Sequence, residues 1–173
     1  MIKNVASLIS DAPVEARWMI NATPLYFDFT VKRLGLRKLP DEVLKPDYTA
    51  AHRLLIFAEQ NYAEGGGSRP WLCVDEDSGE VYGFDPERDA PLFFLNSSVT
   101  QFIATFRFLD KWLGANRSLP RDSDAQLRVI DPETYPNSDW HPLVEGAMEP
   151  ELPDAREGST SSALKSESSP QSP

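Results

Sequence analysis

The side chains of this chain best suited to covalent or acid–base chemistry are one cysteine, two histidines and a run of carboxylates. Cys73 with His52 or His141 would make a thiolate–imidazole nucleophile, which needs a base within hydrogen-bond reach and a depressed thiol pKa. Cys73 falls inside "WLCVD", an apolar run of strand character, where a thiol behaves as a small buried hydrophobe. Neither histidine stands in an H-E-x-x-H spacing, and one cysteine leaves no C-x-x-C pair for zinc. The His-x-Glu and Pro-Cys-x-x-Cys elements of a nucleobase deaminase are absent. So are G-x-S-x-G and G-x-G-x-x-G, and "AEGGGS" at 63–68 lacks the Lys-Ser/Thr of a phosphate loop. The residues therefore predict no enzyme, no cofactor and no metal site.

The carboxylates Asp75, Glu76, Asp77, Glu80, Asp85, Glu87 and Asp89 remain. A calcium loop requires Gly at its sixth position and Glu at its twelfth. Counted from Asp75, those positions hold Glu80 and Pro86, which excludes calcium. No glycosidase-like context surrounds the acids, so what they offer is charge. The formal net charge is −10, which argues against direct nucleic-acid binding, because phosphate contacts need clustered Lys and Arg. Between residues 51 and 100 only Arg53, Arg69 and Arg88 stand among nine acids. A negative surface there would draw in a basic protein and speed the encounter; the same acids also serve solubility.

Two strands and a turn must position these acids. Leu72 and Val74, then Val81, Tyr82 and Phe84, suit a pleated, half-buried surface. Asp77, Ser78 and Gly79 between them predict a hairpin turn, with Gly supplying a positive φ. Asp75, Glu76, Asp77, Asp85, Glu87 and Asp89 are then expected to form an acidic rim of the sheet that meets a partner. Trp71 beside it is read as an aromatic anchor, with plain core packing as its other reading. Leu92 to Leu95 is an apolar run that predicts a strand. Ser98 and Gln101 have capping-box spacing, and Val99, Phe102, Ile103, Phe106, Leu109 and Leu113 follow with helical period. Gly114 is the expected C-cap.

The order of these elements resembles the SUKH superfamily of bacterial immunity proteins, its fourth subgroup in particular. The resemblance rests on Gly79-Glu80-Val81 at a strand start, Asn96-Ser97-Ser98 before a helix carrying Phe102, and Asp131 followed downstream by Trp140. It spans roughly residues 10 to 148. It implies a domain that binds and blocks a cognate protein toxin, typically a nuclease or deaminase, and such toxins are commonly basic because they grip nucleic acid. A non-enzymatic regulatory or scaffold module on the same fold is the alternative.

The expected architecture is α+β, a mixed and largely antiparallel sheet flanked by helices. Strands are predicted near 52–58, 70–75, 80–85 and 91–95, helices near 13–20 and 98–113, and a short element at 138–147. "LYFDFTVKRLGL" is open between a strand leading into a turn and a helix ending near Gly35; "AQLRVID" reads as a strand or extended segment. Residues 1–149 form the domain. Residues 150–173, rich in Ser, Pro and Glu, cannot bury enough apolar surface to offset chain entropy, which predicts a disordered and dispensable tail. The lack of an apolar leader, of a spanning run and of a second cysteine points to a reduced cytoplasm with no membrane partner. Nothing in the residues sets the oligomeric state.

Overall fold

The computed structural model describes residues 5–10, 14–22, 25–44, 51, 53–62, 69–132 and 134–148. The tail predicted at 150–173, the glycine loop at 63–68 and His52 lie outside these residues. Six strands succeed one another as β1 (Ala16–Ala22), β2 (Leu25–Lys38), β3 (Leu54–Tyr62), β4 (Trp71–Asp75), β5 (Val81–Phe84) and β6 (Leu92–Asn96). Each pairs antiparallel with its successor, giving a meander in the order β1-β2-β3-β4-β5-β6. Helix α1 (Val5–Ser10) precedes the sheet, and α2 (Val99–Leu113), α3 (Ser123–Ile130) and α4 (Trp140–Ala147) come after it. The fold is α+β, as expected. Helix α2 touches both edge strands, β1 and β6, so the sheet curls around it.

The core forms because α2 repeats its apolar residues at helical spacing: Val99, Phe102, Phe106, Leu109 and Leu113 are all buried. They meet Trp18, Val31, Phe57, Leu72, Val74, Val81 and Leu95 from the concave face of the sheet. Phe57 stands edge-on to Phe102 at 5.4 Å between centroids, and Trp18 tilts against Phe106 at 5.1 Å. Each such fully buried large side chain contributes roughly 1.5–3 kcal/mol. The Trp18 indole, with no solvent exposure, also donates to Asp110 Oδ1 at 2.8 Å. A second, smaller cluster of Leu39, Ala51, Leu54, Ile56, Cys73 and Phe84 lies on the opposite face.

Two expectations are corrected. Residues 16–22 form β1 where a helix is predicted near 13–20. Val14 and Trp18, four apart, fit a helical face, but pairing along β2 satisfies this backbone, with Trp18 opposite Phe29. The helix lies upstream as α1, whose Val5 and Ile9 are buried one turn apart. "AQLRVID" contributes most of α3 rather than a strand. Alternation would bury Leu127 and Val129 together; instead Ser123 and Leu127 are buried one turn apart and Val129 is 82% exposed. An Arg128–Asp124 ion pair at 2.7 Å supports the same helix. Gly114 is the C-cap of α2, as expected; it keeps right-handed geometry, and the left-handed residue is Asn116 at φ 54°. Asn116 N–H bonds to Leu113 O and Arg117 N–H to Trp112 O, the double closure of a Schellman end. The ambiguous "LYFDFTVKRLGL" resolves as β2, which bulges between Arg33 and Arg37.

One glycine is required by packing. Gly83 on β5 faces Phe93 on β6, and a Cβ at Gly83 would stand 1.9 Å from the Phe93 ring. Phe93 lies over this gap, with the Arg88 guanidinium 5.0 Å from its centroid. Gly83→Ala is expected to displace the ring and lower stability by about 1–3 kcal/mol. Adding Phe93→Ala should recover part of that loss in a double-mutant cycle read by thermal unfolding. A Gly83→Ala protein as stable as its parent would show that the ring is not held there.

Candidate functional site

The β4–β5 turn is built by Asp75. Its Oδ1 accepts the backbone N–H groups of Asp77 (2.8 Å) and Ser78 (2.9 Å), its carbonyl accepts Gly79 N–H (2.9 Å), and Gly79 takes φ 78°. Arg53, at the start of β3, reaches Asp75 Oδ2 at 3.1 Å and Asp77 Oδ2 at 3.4 Å. Asp75 is only 3% exposed. Glu76 and Asp77 are exposed on the turn, and Glu80 comes after them, half-buried.

The loop after β5 repeats the device. Asp85 Oδ1 accepts Glu87 N–H at 3.0 Å, and Asp85 is itself buried. Glu87 and Asp89 are exposed. Successive hairpins of a meander open at opposite ends, so this loop and the β4–β5 turn lie at the two ends of β5, about 10 Å apart along the strand. The structure thus brings Asp75, Glu76 and Asp77 together, and Asp85, Glu87 and Asp89 together, but it does not join the six into one rim. Asp75 and Asp85 are spent on their own turns.

Between the two ends runs a row of rings on the sheet face away from α2. Trp71, half-buried, stacks on Phe84 with 6.2 Å between centroids and 5° between planes. Tyr82 stands edge-on to Phe94 at 5.4 Å, and its hydroxyl donates to Glu80 Oε2 at 2.8 Å. Burial, and then the neighbouring Glu80 carboxylate, raise the Tyr82 phenol to about 12. Trp71, Tyr82, Leu92 and Phe94 are each partly exposed on this face. Tyr82 and Phe94 are the members that sequence reasoning passed over. Their signal was the alternation that puts Trp71, Cys73, Tyr82 and Phe84 on one side of a β4–β5 pair.

Of the residues that carried the family resemblance, Gly79-Glu80-Val81 lie at the β4–β5 turn, while Asn96, Ser97, Asp131 and Trp140 sit on the helical side and bond to one another. Asn96 donates through Nδ2 to Asp131 Oδ2 (3.1 Å) and Thr105 Oγ1 (3.2 Å), and its Oδ1 accepts the Trp140 indole N–H (3.0 Å). Ser97 donates to Asp131 through both its backbone N–H and its hydroxyl, each at 2.9 Å, and Thr134 adds a second hydroxyl. Ser98 caps α2 by accepting Gln101 N–H at 3.3 Å. Asn96 and Asp131 have no solvent exposure and Trp140 has 2%. Burial alone would raise the Asp131 carboxyl. The bonds from Thr134, the Ser97 amide, Asn96 and the Ser97 hydroxyl outweigh it and hold the group below the usual carboxylate range. This cluster, with Asn96, Asp131 and Trp140 buried at its centre, ties β6, α2 and α4 together.

Cys73 has no exposure, and burial pushes its thiol well up from the ordinary range. His141 lies between Asp124 (3.3 Å) and Glu145 (3.7 Å). Among the described residues no group of His, Cys, Asp and Glu side chains could hold a metal ion.

The family model described as SUKH-4 immunity protein matches residues 41–145, more than half of the chain. The span takes in the acidic turn, the aromatic row and the Asp131 cluster. No curated protein and no solved structure matches the chain.

Two outcomes are expected from this geometry. Asp131→Asn puts an amide donor against the donors of Asn96 and Ser97, and should cost about 2–3 kcal/mol. Because the folded Asp131 titrates below its unfolded value of about 3.9, its contribution is complete above that pH and is lost as pH falls through the folded value. Chemical unfolding between pH 6 and 2 should show the parent losing this increment and the variant lacking it; parallel curves would refute the assignment. Separately, Cys73 in the native protein should resist a thiol reagent that labels the unfolded chain fully. Rapid stoichiometric labelling of the native protein would contradict its burial.

Proposed function

The chain belongs to the SUKH-4 immunity protein family, and we propose from that premise that it neutralises the toxin domain of a bacterial polymorphic toxin system by binding it, with no catalytic step of its own. The family match is the observation that carries this reading. The toxin is a nuclease or deaminase whose basic surface grips nucleic acid, and the immunity protein occupies that surface in the cytoplasm. No helix among the described residues is long and apolar enough to cross a membrane, and a net charge of −10 suits a basic protein partner.

The contact lies on the sheet face that carries Trp71, Tyr82 and Phe94. Buried interface energy concentrates in aromatic anchors of this kind, while charges at the rim act on encounter. Glu76, Asp77 and Glu80 supply negative charge at one end of the row, and Glu87 and Asp89 at the other. Asp75 and Asp85 act indirectly by shaping the turns that present their neighbours. Cationic side chains of the toxin meet the two acidic ends, and its apolar residues cover the rings between them.

The experiment is binding kinetics against the cognate toxin. Glu76→Gln with Asp77→Asn, and separately Glu87→Gln with Asp89→Asn, should slow association several-fold at low salt and little at high salt. Trp71→Ala should raise Kd about 30-fold or more through faster dissociation, as for an anchor of ~2 kcal/mol. Thermal unfolding run alongside separates binding loss from fold loss. Unchanged kinetics in all three variants would place the interface elsewhere; a failure to bind any toxin encoded beside the gene would defeat the immunity reading itself.

A further inference from the structure

The two acidic ends of the contact face hold different arginines, which are used differently. Arg53 stays within its own end, bridging Asp75 at 3.1 Å and Asp77 at 3.4 Å. Arg88 reaches out of its loop. Its Nε lies 3.9 Å from Asp85 Oδ2, and its Cζ lies 5.0 Å from the centre of the Phe93 ring on β6. Phe93 packs against the main core, on the helical side of the sheet, and lies over the gap that Gly83 leaves on β5. Asp139, immediately before α4, feels the same guanidinium. Burial raises the Asp139 carboxyl, and the Arg88 charge offsets part of that rise. Asp139 is itself fixed to the sheet, its backbone N–H bonding to Phe94 O at 2.9 Å.

The loop at 85–91 closes upon itself through its backbone. Asp85 N–H bonds to Pro91 O at 2.7 Å, Arg88 N–H to Asp85 O at 3.2 Å, and Glu87 N–H to Asp85 Oδ1 at 3.0 Å. None of these three bonds ties the loop to the helical side; the Arg88 side chain does. Glu87 and Asp89, on either side of it in sequence, are exposed. By charge alone, a cation between two exposed acids weakens a surface that captures a basic partner. The contacts of Arg88 give it a different use.

We propose that Arg88 is a positioning residue for toxin binding: it pins the loop at 85–91 to the Phe93 ring and to Asp139, so that Glu87 and Asp89 are held in place before the partner arrives. The role rests on the toxin-binding reading above. Arg88 acts through the loop and does not itself meet the toxin. A loop ordered in advance loses less freedom on binding, and the complex is tighter by that difference. An exposed ion pair and an exposed cation–π contact are each weak. On one side chain they act together, and a short loop already closed by its backbone needs little more to be fixed.

The test uses the full chain and has two arms. In the free protein, Arg88→Met should quicken amide hydrogen exchange at Glu87 and Arg88 positions about three- to tenfold, while the α2 amides keep their protection. Against the cognate toxin, the same variant should raise Kd about three- to tenfold through faster dissociation, although the rim has become more negative. Phe93→Leu changes no charge and should loosen the loop and weaken binding in the same direction. Arg88→Lys keeps the cation and should recover most of both effects. Loop exchange indifferent to Arg88→Met overturns the proposal; a loss of affinity would then mean that Arg88 touches the toxin directly. A Kd that falls also overturns it, since Arg88 would be an opposing charge and no more. So does a Kd unchanged by Arg88→Met for a toxin whose capture depends on Glu87 and Asp89. A parent protein that binds no toxin encoded beside its gene fails the immunity reading instead, and the exchange arm, run without toxin, still decides whether Arg88 pins the loop.

Discussion

Asp131 keeps its negative charge where solvent does not reach it, and the arrangement of the helices on the sheet depends on how that charge is satisfied. A buried carboxylate without partners would neutralise itself by taking a proton. Ser97, Asn96 and Thr134 supply the donors that prevent this. These donors come from the end of β6, from the turn into α2 and from the loop before α4. Asn96 extends the bond pattern on its far side to Thr105 of α2 and Trp140 of α4. The set is completed only when the strand, the long helix and the last helix hold one relative position. A slip of any of them would leave a donor or a charge unsatisfied in an apolar interior, which costs far more than the bonds contribute when made. The aromatic packing of Trp18, Phe102, Phe106 and Trp140 supplies the bulk of the burial, but it would tolerate small shifts; the polar cluster would not.

Legibility in the sequence tracked how local the determining interactions are. The β4–β5 hairpin could be read because Asp77-Ser78-Gly79 is a turn by its own chemistry, and Gly79 does take a positive φ. Helix α2 could be read because its cap and its apolar period lie within one continuous stretch. Strand β1 could not, since Val14 and Trp18 fit either period and the choice is made by β2, which comes after it. Helix α3 was obscured by Leu127 and Val129, whose alternation imitates a strand until the burial of Ser123 and Leu127 is known. The acidic site shows the same limit. Charge at 75–89 was plain, but the carboxylates that would shape their own turns could not be told from those that would face water. Nor does a linear run reveal that its two halves lie at opposite ends of a strand.

Asn96, Ser97, Ser98, Asp131 and Trp140, which carry the family pattern, are spread along the sequence and all polar or aromatic, the profile often taken for a binding site. The burial of Asn96, Asp131 and Trp140 and the bonds of Ser97 to Asp131 place them in the scaffold instead, with Ser98 as the cap of α2. The opposite face carries Trp71 and Tyr82, packed against the smaller cluster of Leu39, Ala51, Leu54, Ile56, Cys73 and Phe84, with Phe94 edge-on to Tyr82.

The meander has a bearing on how the protein is made. Every strand pairs with the one synthesised just before it, so the sheet can assemble progressively from short loops. The bonds that lock it span much longer intervals: 35 residues from Asn96 to Asp131, 44 from Asn96 to Trp140, and 92 from Trp18 to Asp110. During translation the sheet is therefore available well before its lock, and Trp140 is the last large aromatic core residue to leave the ribosome. Until it does, the nascent chain carries an assembled sheet whose apolar face lacks part of its cover, an interval in which chaperone binding would matter most.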